Sequence, residues 1–247
     1  MSGDFEMPSA QSDPGGSGAY ETISLDFGGT IGHETTETAA VYREVLSKSR
    51  HAIELEKLRT ATKAALEQVA QENRKNGRIW TNQSIVEQAQ RVLQELKIPN
   101  DDLLAREMAE LHPHGLNYRP YDDVEPALKE IKRRGLKLII VSNVSSLQNL
   151  LTYLGQTGLT RYFDALVASG TIGFEKPDSR IFAIASERSG TPPERMVHVG
   201  DSYPNDYVGA ESAGLTGVLL DRKGRHTEAK CRRISKLTEL LQMLSSA

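Results

Sequence analysis

The stretch Glu125–Arg134, EPALKEIKRR, followed by Leu136–Asn143, LKLIIVSN, decides the fold. The first reads as an amphipathic helix and the second as an apolar strand that closes on a polar pair. Outward from it the same alternation continues: SLQNLLTYLG, DALVAS, SRIFAIASERSG, MVHVG, a helix around DYVGAESAG, GVLL, and ISKLTELLQML. Helix and strand in turn mean a parallel sheet. A further short strand at Ile23 to Leu25, ending on Asp26, brings the expected number of strands to five. The fold class is α/β.

Between that first strand and the alternating region the pattern changes. VYREVL, LEKLRTATKAALEQVA, SIVEQAQRVLQEL and DDLLAREMAEL carry apolar or small residues three and four apart among many charges, which predicts four helices and no strand. NGRIWTNQS separates the second from the third, and Ile98-Pro99-Asn100 the third from the fourth, with Asn100 or Asp101 as N-cap. His112-Pro113-His114-Gly115 is expected to break the fourth helix and mark a boundary. The helical block is thus an insertion of about eighty residues just after the first strand. No internal repeat of fixed period is found.

Composition narrows the function classes. Apolar residues are 38% of the 247, and the 20 glycines bring the total near the range of ordinary globular chains, so a sizeable core can be buried. Lys plus Arg is 30 against 33 Asp plus Glu, a net charge of −3, which argues against a nucleic-acid or anionic-membrane binder. The lone cysteine, Cys231, excludes an internal disulfide and a cysteine-rich zinc site. Residues 1–19, rich in Ser, Gly, Pro and acids, are expected to be a disordered tail, and they lack the apolar stretch of a secretory signal. With no membrane-length apolar run, a cytoplasmic protein is expected.

Ligands of open parallel sheets lie beyond the carboxyl ends of the strands. Four positions meet that condition: Asp26, Ser142, the loop Glu175-Lys176-Pro177, and Asp201. Asp26 and Asp201 also read as turn or capping acids, and Ser142 as a strand-end hydroxyl, since Ser145-Ser146-Leu147-Gln148 already caps the next helix. Lys176 precedes a helix start, where a cation is unfavourable, so a bound anion would explain it. Two acids near one such lysine suggest a metal.

In this order, Asp26-Phe27-Gly28-Gly29-Thr30, Ser142-Asn143, Lys176-Pro177-Asp178, and Gly200-Asp201-Ser202 with Asn205-Asp206 resemble the four motifs of the haloacid dehalogenase superfamily, from about Glu21 to Leu244. The resemblance implies a Rossmann-like core of residues 20–34 and 116–247 with an inserted all-helical C1 cap of residues 35–115. It implies Asp26 as a nucleophile that forms an aspartyl-phosphate, with Ser142, Asn143 and Lys176 on the phosphate. Mg2+ would be held by Asp26, the carbonyl of Gly28 and Asp201, supported by Asn205 and Asp206. The substrate would be a small phosphorylated molecule, handled by a monomer or homodimer.

One departure stands out. Phosphatases of the superfamily carry an aspartate two residues past the nucleophile as general acid and base, and here that residue is Gly28. General acid-base catalysis contributes about 10² to 10⁴-fold, so simple alkyl phosphates should react slowly unless another group, such as His33 on the same loop as Asp26, supplies the proton. Alternatives are a substrate with a good leaving group such as an acyl phosphate, phosphonate or haloacid hydrolysis, and a catalytically weak binding protein. His112 and His114 read as loop residues, the segment Arg222 to Arg233 as a solvated basic face, and Trp80 as a core or rim aromatic of the insert.

Overall fold

The computed structural model describes residues 20–99 and 101–245. The expected disordered tail and Asn100 lie outside the described residues.

Strand β1 (Thr22–Leu25) is buried along its whole length and lies in the middle of a parallel sheet. β4 (Lys137–Ser142) and β5 (Ala165–Ala168) lie on one side of it, and β6 (Met196–Gly200), β7 (Thr216–Leu220) and β8 (Arg233–Ile234) on the other. Burial on both faces explains the near-continuous apolar runs. Successive side chains point to opposite faces. Leu138 and Ile140 thus join Ile23, Leu25, Val197 and Val199 in one cluster, while Ile139 and Val141 join Val167 and Met196 in another.

Helices cover both faces. Against the first cluster pack α5 (Val124–Arg133), α6 (Leu147–Thr157) and α10 (Leu240–Ser245), and against the second α8 (Ser179–Ser189) and α9 (Gly209–Ser212). A single turn, α7 (Ser169–Ile172), follows β5.

After β1 the chain forms β2 (Gly32–Glu34), then α1 (Thr38–Lys48), α2 (Leu55–Lys75), α3 (Asn82–Glu95) and α4 (Asp102–Gly115), and returns through β3 (Tyr118–Pro120), which pairs antiparallel with β2. The helices bury a cluster of their own, including Tyr42, Leu58, Leu93 and Met108. Asp101 is the N-cap of α4, accepting from the N–H groups of Leu103 and Leu104.

Three expectations need correction. The sheet has six strands, because Ile234 turns back onto β7; the carbonyls of Arg232 and Ile234 accept from the N–H groups of Leu219 and Asp221. Two residues are too few to carry a period. His112-Pro113-His114 does not break α4, which runs to Gly115. Pro113 stands in the last turn, where its missing N–H costs one bond, and α1 holds that turn in place: a Cβ on Gly115 would lie 2.6 Å from Val41 Cγ2. His33 lies in β2 opposite Arg119 rather than in a loop.

Leu93 is fully buried and Leu103 is 77% exposed. Leu93→Ala is expected to cost about 3 kcal/mol in urea unfolding, and Leu103→Ala less than about 0.5 kcal/mol. Equal effects would contradict the described packing of the helical segment.

Candidate active site

Asp26 leaves β1 with its N–H on the carbonyl of Val199, and the residue is only 7% exposed. Leu25 is paired with both Ile140 and Val199, so Ser142 and Asp201 arrive at the same sheet edge, one residue beyond Asp26. The chain then turns tightly, with the carbonyl of Phe27 accepting from Ile31 at 2.9 Å and Gly32 at 3.0 Å.

The two glycines in that turn differ. Gly29 has a φ of +77°, and a Cβ there would lie 2.3 Å from Asp201 Oδ2. Backbone conformation and the Asp201 carboxylate both require glycine. Gly28 has no such constraint: its φ is not in the left-handed region, and a Cβ would meet nothing within 4 Å. There is room for a side chain at the position where the sequence lacks its acid.

Lys176 is the hub. It is 3% exposed, and its Nζ donates to Asp26 Oδ1 at 2.7 Å and to Asp206 Oδ1 at 2.5 Å. The anion expected beside Lys176 is therefore supplied by the protein's own carboxylates. The start of α8 is capped separately, by Asp178 accepting from the N–H of Arg180. Asn143 clamps the main chain of Lys176, donating from Nδ2 to its carbonyl at 2.9 Å and accepting its N–H on Oδ1 at 2.7 Å. The side chain of Asn143, expected on phosphate, is thus engaged in setting Lys176. Ser142 is buried at the end of β4 beside this clamp.

Asp206 stands in a π-helical turn, Tyr203–Val208, that leads into α9. Its Oδ2 accepts the N–H of Ser202, and its Oδ1 also faces His198 Nε2 at 3.2 Å. Gly200 makes this possible, because a Cβ there would lie 2.1 Å from Asp206 Cγ. Asn205 enters through its backbone N–H, which donates to Ser202 Oγ at 3.4 Å.

Electrostatics rank the three acids. Burial works to raise Asp206, but Lys176 and His198 outweigh it and hold the carboxyl below the ordinary range. Burial pushes Asp26 up to about 7 against the pull of Lys176, with Asp206 adding to the rise. Asp201, an exposed residue, is raised by burial of its carboxyl and then by Asp206. Lys176, despite burial, is raised by Asp206 and Asp26 and keeps its charge.

Oxygens of Asp26, Asp201 and Asp206 lie within 4.8 Å of one another. When all three are ionised, three negative charges face the single positive charge of Lys176, which leaves two uncompensated. Hard oxygen donors with that excess fit a small divalent cation such as Mg2+. A cation there would relieve the strain on the two acids that burial pushes up.

Two residues of the site's surroundings escape sequence reasoning. Arg222, expected on a solvated face, donates to the carbonyls of Gly29 at 3.3 Å and Thr30 at 2.8 Å and to Asp123 Oδ1 at 2.8 Å, with its guanidinium 4.0 Å from the Tyr121 ring centroid. It braces the turn after Asp26. His198, fully buried in β6, was hidden inside an apolar strand pattern. His33 packs tilted against the Tyr121 ring, at 4.7 Å between centroids and 40° between planes, and is exposed. His112 is half-buried in α4, its Nε2 3.0 Å from Thr38 Oγ1, and burial lowers its pKa to about 4. Ser146 caps α6 by accepting from the N–H of Asn149, whose own amide donates to Ser145 and Asn82.

Residues 20–214 match a family model described as haloacid dehalogenase-like hydrolase. The chain is 35% identical over 103 residues to glyceraldehyde 3-phosphate phosphatase of Methanothermobacter thermautotrophicus, covering 42% of this chain and 45% of that protein. It is 38% identical over 130 residues to haloacid dehalogenase-like hydrolase domain-containing protein 3 of Mus musculus, covering 50% and 51%. The matched part of the chain thus spans about half the length of these relatives. A crystal structure of a HAD phosphatase from Thermococcus onnurineus superposes with a TM-score of 0.64 at 27% identity, over 91% of this chain and 97% of that one.

The two glycines supply a direct test of this geometry. Gly29→Ala is expected to lose about 1–2 kcal/mol or more in denaturant unfolding, from its positive φ and the displaced Asp201, whereas Gly28→Ala should change stability by less than about 1 kcal/mol. Similar losses from both would contradict the described turn.

Proposed function

The chain belongs to the haloacid dehalogenase-like hydrolase family, and from that membership and the site's geometry we propose that it is a Mg2+-dependent phosphatase of small phosphorylated metabolites with Asp26 as nucleophile. The observation that carries this reading is the buried Lys176 ammonium on Asp26 Oδ1, in a cluster where Asp26, Asp201 and Asp206 converge. Lys176 donates to Oδ1 of Asp26, and one carboxylate oxygen of Asp26 is the attacking atom. Its lone pair forms the bond to phosphorus, the leaving oxygen departs with the P–O electrons, and an aspartyl-phosphate results. Water then attacks phosphorus, gives up a proton, and releases phosphate with the carboxylate restored. Lys176 and Ser142 stabilise the transferring group, and Asn143 holds Lys176 in place for it. Mg2+, held by Asp26, Asp201 and the carbonyl of Gly28, would supply neutralising charge for a dianionic substrate.

The helical segment, residues 35–115, is read as a cap over this crevice. Asn73 at the end of α2, with Arg78 and Thr81 of the turn into α3, lines a cavity of about 390 Å³ together with Gly173, three residues before Lys176. Substrate choice is assigned to that segment. The names of the relatives, a glyceraldehyde 3-phosphate phosphatase among them, support a small phosphorylated substrate.

Gly28 then shapes the chemistry. Without an acid at that position, leaving groups that depart as stable anions should react best. The parent is expected to hydrolyse aryl or acyl phosphates far faster than alkyl phosphates, and only with Mg2+. Gly28→Asp, which the open space accommodates, should raise alkyl-phosphate turnover by about 10²-fold or more. Asp26→Asn should abolish turnover on every ester while unfolding as the parent does. Equal parent rates on aryl and alkyl esters, insensitive to Gly28→Asp, would contradict the missing-acid account. Full activity in Asp26→Asn would overturn the assignment of the nucleophile.

A further inference from the structure

Beneath the carboxylates runs a row of buried polar groups that the reaction itself does not use. Ser24 in β1 and His198 in β6 are register partners, and both are fully buried. Ser24 Oγ lies 2.8 Å from His198 Nδ1, and His198 Nε2 lies 3.2 Å from Asp206 Oδ1. The same Oδ1 takes the ammonium of Lys176, which reaches on to Asp26. Five residues from four parts of the chain are joined in one row.

The hydrogens along this row have one consistent arrangement. Lys176 donates to both carboxylates and accepts nothing. Asp206 takes the Lys176 ammonium on Oδ1 at 2.5 Å and the Ser202 N–H on Oδ2 at 2.9 Å, so it accepts on both oxygens and Nε2 carries the imidazole hydrogen. Nδ1 is then the acceptor, and the Ser24 hydroxyl donates to it. Burial lowers the pKa of His198, in keeping with a neutral ring. The ring is also held edge-on to Phe182, with centroids 5.0 Å apart, so it cannot turn freely. With Ser202 N–H on the other oxygen, the Asp206 carboxylate receives donors from three separate segments.

We propose that His198, as the neutral tautomer bearing hydrogen on Nε2, is a positioning residue that fixes the plane of the Asp206 carboxylate and, through it, the place of Lys176 on Asp26. Its consequence for catalysis rests on the phosphatase reading, whereas the positioning itself does not. His198 touches neither substrate nor metal in this scheme. His198 reaches the assigned Mg2+ ligands through Asp206 and Lys176, so its loss is expected at the low end of the about 10- to 100-fold typical of residues that orient metal ligands.

The test uses the full chain in two arms. Imidazole ¹⁵N spectra of the histidine-labelled parent should show His198 with a protonated Nε2 and a bare Nδ1. Calorimetry with Mg2+ alone should show binding about tenfold weaker in His198→Leu, and restored to within about threefold of the parent in His198→Gln, which keeps an N–H donor. A protonated Nδ1, a His198→Leu variant that binds Mg2+ like the parent, or a His198→Gln variant as weak as His198→Leu would each overturn the proposal. If His198→Leu does not fold, His198→Gln and the spectrum carry the test. A parent that binds no Mg2+ would defeat the phosphatase reading, and the spectrum would then decide the positioning by itself.

Discussion

A single buried ammonium, that of Lys176, governs the rest of the site. Taking a charge out of water is expensive, and it is tolerated where partners surround it with good geometry. Here two carboxylates do so, at 2.7 and 2.5 Å. Removing the ammonium would leave the two buried carboxylates facing each other without their counterpart. The position of the lysine is accordingly fixed twice, by Asn143 on its main chain and by Asp26 and Asp206 at its tip.

That constraint reaches back into the sheet. Asp26, Asn143 and Asp201 converge because β1, β4 and β6 are neighbours in register and end at one edge. Glycines then let charged groups lie directly on the backbone: Gly29 against Asp201, and Gly200 against Asp206. Arg222, two residues past the end of β7, closes the arrangement by holding two carbonyls of the turn that carries Gly28 and Gly29. Fold stability and site geometry are therefore coupled through a few close approaches.

Much of this was legible because it is written locally. Strand-end acids, a lysine ahead of a helix, and alternating apolar and amphipathic segments are short-range signals, and they located the parallel sheet, the four inserted helices, and Asp26, Lys176 and Asp201, while Asp206 entered with the family resemblance. Long-range contacts left no such trace. His198 sits in the middle of MVHVG, where a single polar residue does not alter an apolar pattern. Arg222 stands among other basic residues and is distinguished only by the carbonyls it meets in space. The two-residue strand at Arg233 is too short for any period, and the helix through Pro113 is held by packing of α1 on Gly115 rather than by local propensity.

The account centres on one chemical event, transfer of the phosphoryl group to Asp26. No helix among the described residues is long and apolar enough to cross a membrane. The most direct measurement is rapid quench of the protein with Mg2+ and an aryl phosphate, followed by borohydride reduction and peptide mass spectrometry. An aspartyl-phosphate is reduced to homoserine, and the account predicts that conversion at position 26 alone. Turnover without reduction at Asp26, or with reduction at another carboxylate, would contradict it.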